Sequence, residues 1–382
     1  MANPPLPWRP TAPEAFRSAL PRDEAEEARR LERLGPDFRI ERTDHFSLAV
    51  HRESRTASYR GHILEDLHAA FTLHATNLGL ALTPGARAHA MVFTPTREQF
   101  LEVIGSNGAP SGLGGAYLEA SGLACFYDTL GRREDRVRMA RAGELQGDLR
   151  RMRREIARMP ADATVELRYR RAPTRRYGRD DALARIDEAL RRIRRDGVEL
   201  VYQLGEDSLG IMLHEAAHQL TFEMGLLTRK RPAPLWLIEG LATLFEPIRH
   251  GFLLETTRPH WGRWANLEAR RRAGEPIAVA ALIANDDGFR GDDPTKSARA
   301  YDDAWALVHF LSTTEPEGFT RYVKRVRSRS EAPSEAGRTT DFEESFGTSV
   351  SEIEARLRSY LEELGQGSEG GFDAYRATTG SE

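Results

Sequence analysis

Apolar positions divide the chain into a short α/β region followed by mostly helical sequence. Period-two or continuous apolar runs predict strands, and three- and four-residue steps predict helices. The predicted strands are 45–51, 88–93, 116–120 and 123–129, and the predicted helices between them are 58–79 and 96–105. Together they form a βαβαββ module over residues 41–129. Residues 1–40 start proline-rich and then become charged, which indicates a loose arm with one short surface helix.

Residues 130–200 have a different character, because narrow apolar stripes mark two helices. The stripes consist of Leu149, Met152, Ile156 and Met159 in the first helix and of Leu183, Ile186, Leu190 and Ile193 in the second. Such stripes are typical of helices that pair through a thin seam, so we expect a helical hairpin insertion. This segment carries an excess of arginine. Without interleaved aromatic residues, a solvated face is favoured over nucleic-acid binding.

Residues 201–365 are predicted to be largely helical, with a loop at 331–340 and a last helix at 350–364. The tail, 366–382, has the composition of a disordered segment. The overall expectation is an α+β fold, with a small mixed sheet in the N-terminal lobe, a helical C-terminal lobe and the inserted hairpin between them.

Composition narrows the classes of protein only slightly. The chain has 382 residues, a net charge of −3 and no apolar run long enough for a membrane span. Its N-terminus lacks the apolar core of an export signal, so a cytoplasmic location is the default, unless a signal was removed before residue 1. The single cysteine, Cys125, lies in an apolar run and is expected to be a small buried hydrophobe.

The sequence HEAAH at 214–218 carries the candidate chemistry. His214 and His218 are one helical turn apart, so both imidazoles leave the same face and can share one zinc ion. Glu215 points about 100° away and can serve as general base without being a ligand. Asp207 or Ser208 is predicted to cap this helix, and Gly225 to end it. The alternative to a metal site is that the two histidines are ordinary residues on the surface of a helix.

A third ligand is needed, and the apolar segment 233–246 supplies a candidate, Glu239, on a helix that starts after Pro234. A buried carboxylate needs a partner, which is either a zinc ion or an arginine. Glu246 lies two turns further along. It either accepts the second N–H of a zinc-binding histidine or is a surface residue.

HEAAHQL followed by LWLIEGLATLFE resembles the gluzincin metallopeptidases, in particular the aminopeptidase N family. This resemblance implies that His214, His218 and Glu239 bind one zinc ion per chain and that Glu215 is the general base. It also implies a thermolysin-like catalytic fold, and the stretch 298–311 implies that Tyr301 stabilises the oxyanion. The narrowest resemblance is to an uncharacterised gluzincin-like family known only as a domain of unknown function. It covers most of residues 40–365 and leaves out the insertion.

One motif of the aminopeptidases, the GAMEN sequence that binds the substrate amino terminus, has no counterpart here. The expected function is therefore a zinc-dependent peptidase acting on peptides or proteins, most simply an endopeptidase. An extended substrate is expected to pair with the strand at 123–129, taken as an edge strand. Two alternatives stay open: a zinc hydrolase of a non-peptide amide, and a binding or scaffold protein with a vestigial metal site.

Overall fold

The computed structural model describes most of the chain. The described residues are 11–52, 57–105, 113–128, 133–169, 172–230, 233–246, 259–275, 277–290 and 293–367. Residues 368–382 of the predicted tail, 366–382, and the first ten residues of the predicted arm lie outside this set.

The described elements are predominantly helical. The helices are α1 (Glu24–Leu34), α2 (Ala57–Asn77), α3 (Arg97–Ile104), α4 (Arg133–Ala157), α5 (Arg179–Glu223), α6 (Leu235–Thr243), α7 (Trp261–Arg272), α8 (Val279–Ala284), α9 (Pro294–Thr314), α10 (Pro316–Ser328), α11 (Glu335–Phe346) and α12 (Val350–Gly367). The strands are β1 (Phe38–Arg42), β2 (Phe46–His51), β3 (His89–Thr94), β4 (Gly115–Leu118), β5 (Leu123–Tyr127), β6 (Thr164–Tyr169) and β7 (Ala172–Gly178).

The sheet is small and mixed, as expected for the α+β fold. Its strand order is β1-β2-β3-β5-β4. The β2/β3 and β3/β5 pairs are parallel, and the outer pairs β1/β2 and β4/β5 are antiparallel. The prediction that residues 123–129 form an edge strand is wrong, because β5 lies between β3 and β4. The short strand β4 is the outermost strand at that side of the sheet.

Alternate residues of the central strands face opposite sides of the sheet, and both sides are buried. Residues such as Leu48, Met91 and Phe126 belong to the large core with α2 and α5. Alternate residues, including Val92 and Cys125, belong to a smaller core that contains Phe100 of α3. Cys125 is fully buried, and burial raises the pKa of its thiol to about 12. This confirms its interpretation as a buried hydrophobe.

The chain divides into two compact units. Unit 1 consists of residues 1–127 and 209–382, and unit 2 of residues 128–208, against a predicted insertion at 130–200. Most of each predicted lobe, 41–129 and 201–365, lies in unit 1, and residues 128–129 and 201–208 lie in unit 2. Helix α5 supplies the end of unit 2 and continues into unit 1.

Unit 2 is more than a pair of helices. Strands β6 and β7 form an antiparallel hairpin between α4 and α5, which the sequence analysis did not predict. Val165 and Leu167 of the hairpin pack in one cluster with Ile156 and Ile186 of the helices. Met152, expected in the apolar stripe, is exposed. The hairpin therefore supplies part of the apolar surface that the helices were predicted to supply to each other.

Three predicted boundaries are wrong. Asp207 and Ser208 do not cap a helix, because α5 runs without a break from Arg179 to Glu223. The predicted loop at 331–340 contains the start of α11, whose Ser334 side chain accepts the Gly337 N–H. Strand β1, which was not predicted, crosses the predicted boundary between the arm at 1–40 and the lobe at 41–129. Single cap and turn residues are weak signals, and tertiary context commonly overrides them.

Among the described helices, none combines the length and apolar character that a membrane span requires.

Candidate metal centre

Helix α5 holds His214, Glu215 and His218 in a buried position. Neighbouring residues Leu213, Ala217 and Leu220 are fully buried. The amide of Gln219 donates to Ala90 O at 3.0 Å and to Gly122 O at 2.8 Å. These bonds attach the helix to β3 and to the turn after β4. The two histidine side chains therefore project from a helix that is fixed against the sheet.

Helix α6 places Glu239, and its start is firmly anchored. The chain enters through Pro234, as predicted, and the Asp286 carboxylate accepts the Leu235 N–H at 3.0 Å. Arg338 donates to both oxygens of Asp286, at 2.8 and 3.0 Å. The ring of Trp236, fully buried, stacks on Tyr322.

The glycine after Glu239 allows α6 to lie directly against α9. A Cβ on Gly240 would come within 2.4 Å of Val308 Cγ2 and 2.7 Å of Ala304 O. Any larger residue would have to separate the two helices. The Glu-Gly pair in the LWLIEG sequence thus has a physical reason: the glycine brings the backbone of the glutamate close to the helix that carries Tyr301.

The three candidate ligand atoms form a nearly equilateral triangle. His214 Nε2 and His218 Nε2 are 3.0 Å apart, and Glu239 Oε2 lies 3.1 Å from the first and 3.2 Å from the second. Ligand atoms of a tetrahedral zinc with bonds of about 2.0–2.1 Å lie about 3.3 Å apart. Two nitrogens and a carboxylate so close together are the donors that zinc prefers. This group could therefore hold a metal ion.

Glu246 lies behind His214, on the side away from the triangle. Its Oε1 is 2.8 Å from His214 Nδ1, a contact that favours a proton on Nδ1 and leaves Nε2 as the nitrogen that would bind a metal ion. The alternative that Glu246 is a surface glutamate is wrong, because only 13% of its side chain is exposed. Although burial favours the protonated acid, Arg263, His214 and His260 hold the pKa of Glu246 well below its usual value.

Arg263 connects this glutamate to α9. Its guanidinium contacts both oxygens of Glu246 and also donates to Asp302 Oδ1 at 2.9 Å. Asn266 donates to the other oxygen of Asp302 at 3.1 Å. The chain of contacts runs from His214 through Glu246 and Arg263 to Asp302. Such outer contacts fix the orientation of a metal-binding imidazole.

Glu215 is turned toward the sheet and is not part of the triangle. A Cβ on Gly115, the first residue of β4, would lie 2.6 Å from Glu215 Cγ and 3.0 Å from Oε1. Burial raises the pKa of Glu215, an effect that the two histidines oppose and that Glu239 and Glu246 reinforce. The outermost strand of the sheet therefore begins directly beside the predicted general base.

Tyr301 is brought to the same place by α9. Its ring centroid lies 6.0 Å from that of His214, and Phe289 packs edge-on against it at 5.5 Å. Burial raises the pKa of its phenol, and the negative charges of Glu239, Glu215 and Glu246 raise it further. Tyr301 is therefore a neutral hydroxyl, able to donate a hydrogen bond.

All six residues predicted from the sequence lie in one region of unit 1. Sequence reasoning missed Arg263, Asp302, Asp286 and the contact of Gly115 with Glu215. Asp302 carried a signal, since it is an acid within the apolar run of α9 and is 5% exposed. Arg263 carried none, because arginines are frequent throughout the chain.

Comparisons with known proteins add one match. The sequence model of a family described as a protein of unknown function (DUF1570) matches residues 208–333. That is about a third of the chain, and it includes the candidate ligands, Glu246, Arg263 and Tyr301. No curated protein and no solved structure matches.

Proposed function

We propose that the protein is a zinc-dependent peptidase of the gluzincin type, acting as an endopeptidase. The observation that carries the proposal is the triangle of His214, His218 and Glu239, with a fourth side chain, Glu215, beside it and not in it. A structural zinc site is closed by four protein ligands, whereas three ligands leave a position for chemistry. An adjacent carboxylate that binds no metal is useful only in the second case.

His214, His218 and Glu239 would hold the ion. When bound, zinc polarises the carbonyl of the scissile bond and makes water acidic enough to lose a proton near neutral pH. Glu215 takes that proton and passes it to the leaving amine. Its buried position, which raises its pKa, suits a group that must both accept and donate a proton near neutrality.

Tyr301 has the complementary task. It donates its O–H to the carbonyl oxygen as negative charge develops there. A hydroxyl is most useful in this role when it stays neutral, and the surroundings of Tyr301 disfavour its ionised form. Arg263 and Glu246 act through His214 and are positioning residues.

Strand β4 supports a peptide substrate. Among the described strands it pairs with β5 alone, so no described strand is hydrogen-bonded to its outer edge. That edge starts at Gly115, beside Glu215. An extended peptide that adds to the sheet here would pass the predicted base. Binding through main-chain groups in the middle of a peptide is what an endopeptidase requires.

The test is cleavage of a complex peptide mixture by the zinc-loaded protein, with new termini read by mass spectrometry. Glu215→Gln is the matched variant, because it keeps the shape of the side chain and all three ligands. We expect cleavage by the parent and a loss of at least about 100-fold in the variant, with zinc content unchanged. A zinc-loaded parent that produces no new termini would overturn the peptidase proposal. Hydrolysis of small acyl amides by that inactive parent would favour the non-peptide alternative.

A further inference from the structure

A second polar site lies at the far end of strand β4. It is a depression in unit 1 whose lining includes Arg87, Gly122, Glu223, Arg229, Lys230 and Arg327. We call it the basic pocket. Four of these six residues are cations. Since the pocket does not include the candidate metal ligands, its charge needs a separate explanation.

Two cations of the basic pocket, Arg87 and Arg229, have an acidic partner at moderate distance. Arg87 lies 3.3 Å from Asp23, and Arg229 lies 3.5 Å from Glu223. Glu223 is shared, because its other oxygen lies 2.5 Å from Nδ1 of the buried His89. Lys230 is exposed. The carboxylate that pairs with Arg229 is therefore divided between this arginine and a buried histidine.

Arg229 is held in place for a ligand. Its guanidinium lies over the ring of Tyr117 at 5.3 Å and donates to the Tyr117 hydroxyl. Tyr117 in turn stacks on Phe222 with ring planes 7° apart. Partial burial and the nearby charge of Arg87 both lower the pKa of Arg229. Two guanidiniums therefore repel each other at a site that would be stabilised by an added anion.

The basic pocket and the candidate catalytic site are linked by one strand and one helix. Gly115 contacts Glu215, and Tyr117 contacts Phe222, so β4 and α5 run side by side in the same direction. A Cβ on Gly122, in the turn after β4, would lie 2.6 Å from Glu223 Oε1. From Glu215 to Glu223 the helix rises about 12 Å. An extended peptide covers that distance in about three to four residues.

We propose that the basic pocket binds a carboxylate of the substrate peptide, three to four residues from the cleaved bond. This inference rests on the proposed peptidase function, and it deepens it by naming a substrate class: peptides with a suitably placed negative charge. Pairing antiparallel to β4 brings an acidic side chain on the amino-terminal side of the cleaved bond to the pocket. Pairing parallel to β4 brings a residue on the carboxyl-terminal side, or the free carboxyl end of the peptide.

The first measurement is binding, which does not require turnover. Fluorescent decapeptides with one glutamate, and matched peptides with glutamine in its place, are titrated into zinc-loaded Glu215→Gln protein. We expect the glutamate peptide to bind about 10-fold more tightly when the spacing is right. In that background, Arg229→Met and Lys230→Met should each reduce the preference. Arg272→Met, which removes an exposed arginine outside the pocket, should leave it unchanged.

The second measurement is cleavage of the same peptides by the parent, with free and amidated carboxyl ends. Cuts at a fixed distance from the glutamate support a side-chain carboxylate. Cuts at a fixed distance from a free end, lost on amidation, support a terminal carboxylate. Equal binding of glutamate and glutamine peptides would overturn the proposal that the basic pocket binds a carboxylate. So would a preference for glutamate that survives the double substitution Arg229→Met and Lys230→Met. Selective binding without any cleavage would instead support the pocket and contradict the peptidase proposal.

Discussion

Arg263 donates to both carboxylate oxygens of Glu246, at 2.9 Å to Oε1 and 2.7 Å to Oε2, and so keeps this buried glutamate ionised. Glu246 in turn lies within hydrogen-bond distance of His214 Nδ1, at 2.8 Å, and its ionised carboxylate can accept the Nδ1–H. This contact favours the tautomer in which Nδ1 carries the proton and Nε2, which faces Glu239 and His218, is the atom available to a metal ion. Arg263, which is not a candidate ligand, therefore influences the orientation of the candidate ligand His214.

The first prediction concerns that arginine. Arg263→Met should weaken zinc binding by about 10- to 100-fold, because Glu246 loses its partner and His214 loses its orientation. Competition with a chromogenic chelator measures the affinity. The control is Arg270→Met on the same helix, since Arg270 makes a comparable buried pair with Asp303, at 2.8 Å. Both variants should lose stability, but only Arg263→Met should lose zinc affinity. Equal losses of affinity would reduce Arg263 to a structural role.

The second prediction concerns Gly115. Replacement by alanine places a Cβ 2.6 Å from Glu215 Cγ and 2.8 Å from Ile211 Cγ2, so Glu215, the proposed general base, must move. Turnover should fall by about 100-fold, because displacements near 1 Å have effects of that size. Zinc content should stay at the parent level. Gly143→Ala in α4 is the control, since its added Cβ would meet no described atom within 4 Å apart from its own helix backbone and chain neighbours. Normal turnover in Gly115→Ala would show that Glu215 is not constrained by β4.

Tyr301 provides the third prediction. Tyr301→Phe removes the hydroxyl and keeps the packing against Phe289 and His214. If the hydroxyl stabilises developing charge, kcat should fall by about 100- to 1,000-fold with little change in KM. Zinc affinity should not change. Tyr360→Phe is the matched control, because it removes a hydroxyl bonded to His309 at 2.8 Å, outside the metal centre. A rise in KM at constant kcat would argue for a binding role instead.

The fourth prediction concerns acid stability and rests on a buried histidine cluster. The rings of His45 and His68 stack at 3.7 Å, and the ring of His89 lies 6.2 Å from that of His68. Glu65 pairs with His45 at 2.6 Å. Burial lowers the pKa of His68 to about 3, and the charges of His45 and His89 act in the same direction, whereas Glu65 opposes them.

The direction of the stability change with pH follows from the number of protons bound in the folded and unfolded states. Between the unfolded value near 6.5 and the folded value, the unfolded chain binds a proton at His68 and the native protein does not. Stability therefore falls as the pH falls, by about 2 kcal/mol between pH 7 and pH 5 from this residue. Urea unfolding at both pH values measures it. His68→Leu should remove that part of the pH dependence, and His62→Leu, at an exposed position, should keep it. The same slope in His68→Leu and the parent would contradict the assignment.

The candidate site could be predicted further than the fold around it. His214, Glu215 and His218 follow from helical spacing, and Glu239 follows from the cost of an isolated carboxylate in an apolar helix. The sequence could suggest that a buried Glu246 needs a cationic partner, but it could not identify that partner as Arg263. The chain has 55 basic residues, of which three are lysines, so Arg263 is one of 52 arginines. Long-range partners of this kind depend on how helices cross, which residue spacing does not encode.

Two errors in the predicted fold have the same origin. Strand β5 was taken as an edge, because its apolar residues do not reveal whether another strand pairs outside it. Strand β4, the real outermost strand, has two glycines near its start. A Cβ at either position would collide with Ile211, and at Gly115 also with Glu215, which the sequence alone does not reveal. Likewise, the hairpin of β6 and β7 is polar enough to read as part of an arginine-rich helical segment. Strands are specified by their neighbours more than helices are.

The central claim is that three side chains from two helices hold one zinc ion while Glu215 does not. The most direct measurement is zinc affinity and stoichiometry by elemental analysis and chelator competition, on the parent, Glu239→Gln and Glu215→Gln side by side. Circular dichroism establishes that each variant is folded. We expect one zinc per chain in the parent and in Glu215→Gln, and a loss of tight binding in Glu239→Gln. A folded parent that takes up no zinc when it is supplied, or a Glu239→Gln variant that binds it as tightly as the parent, would contradict the claim.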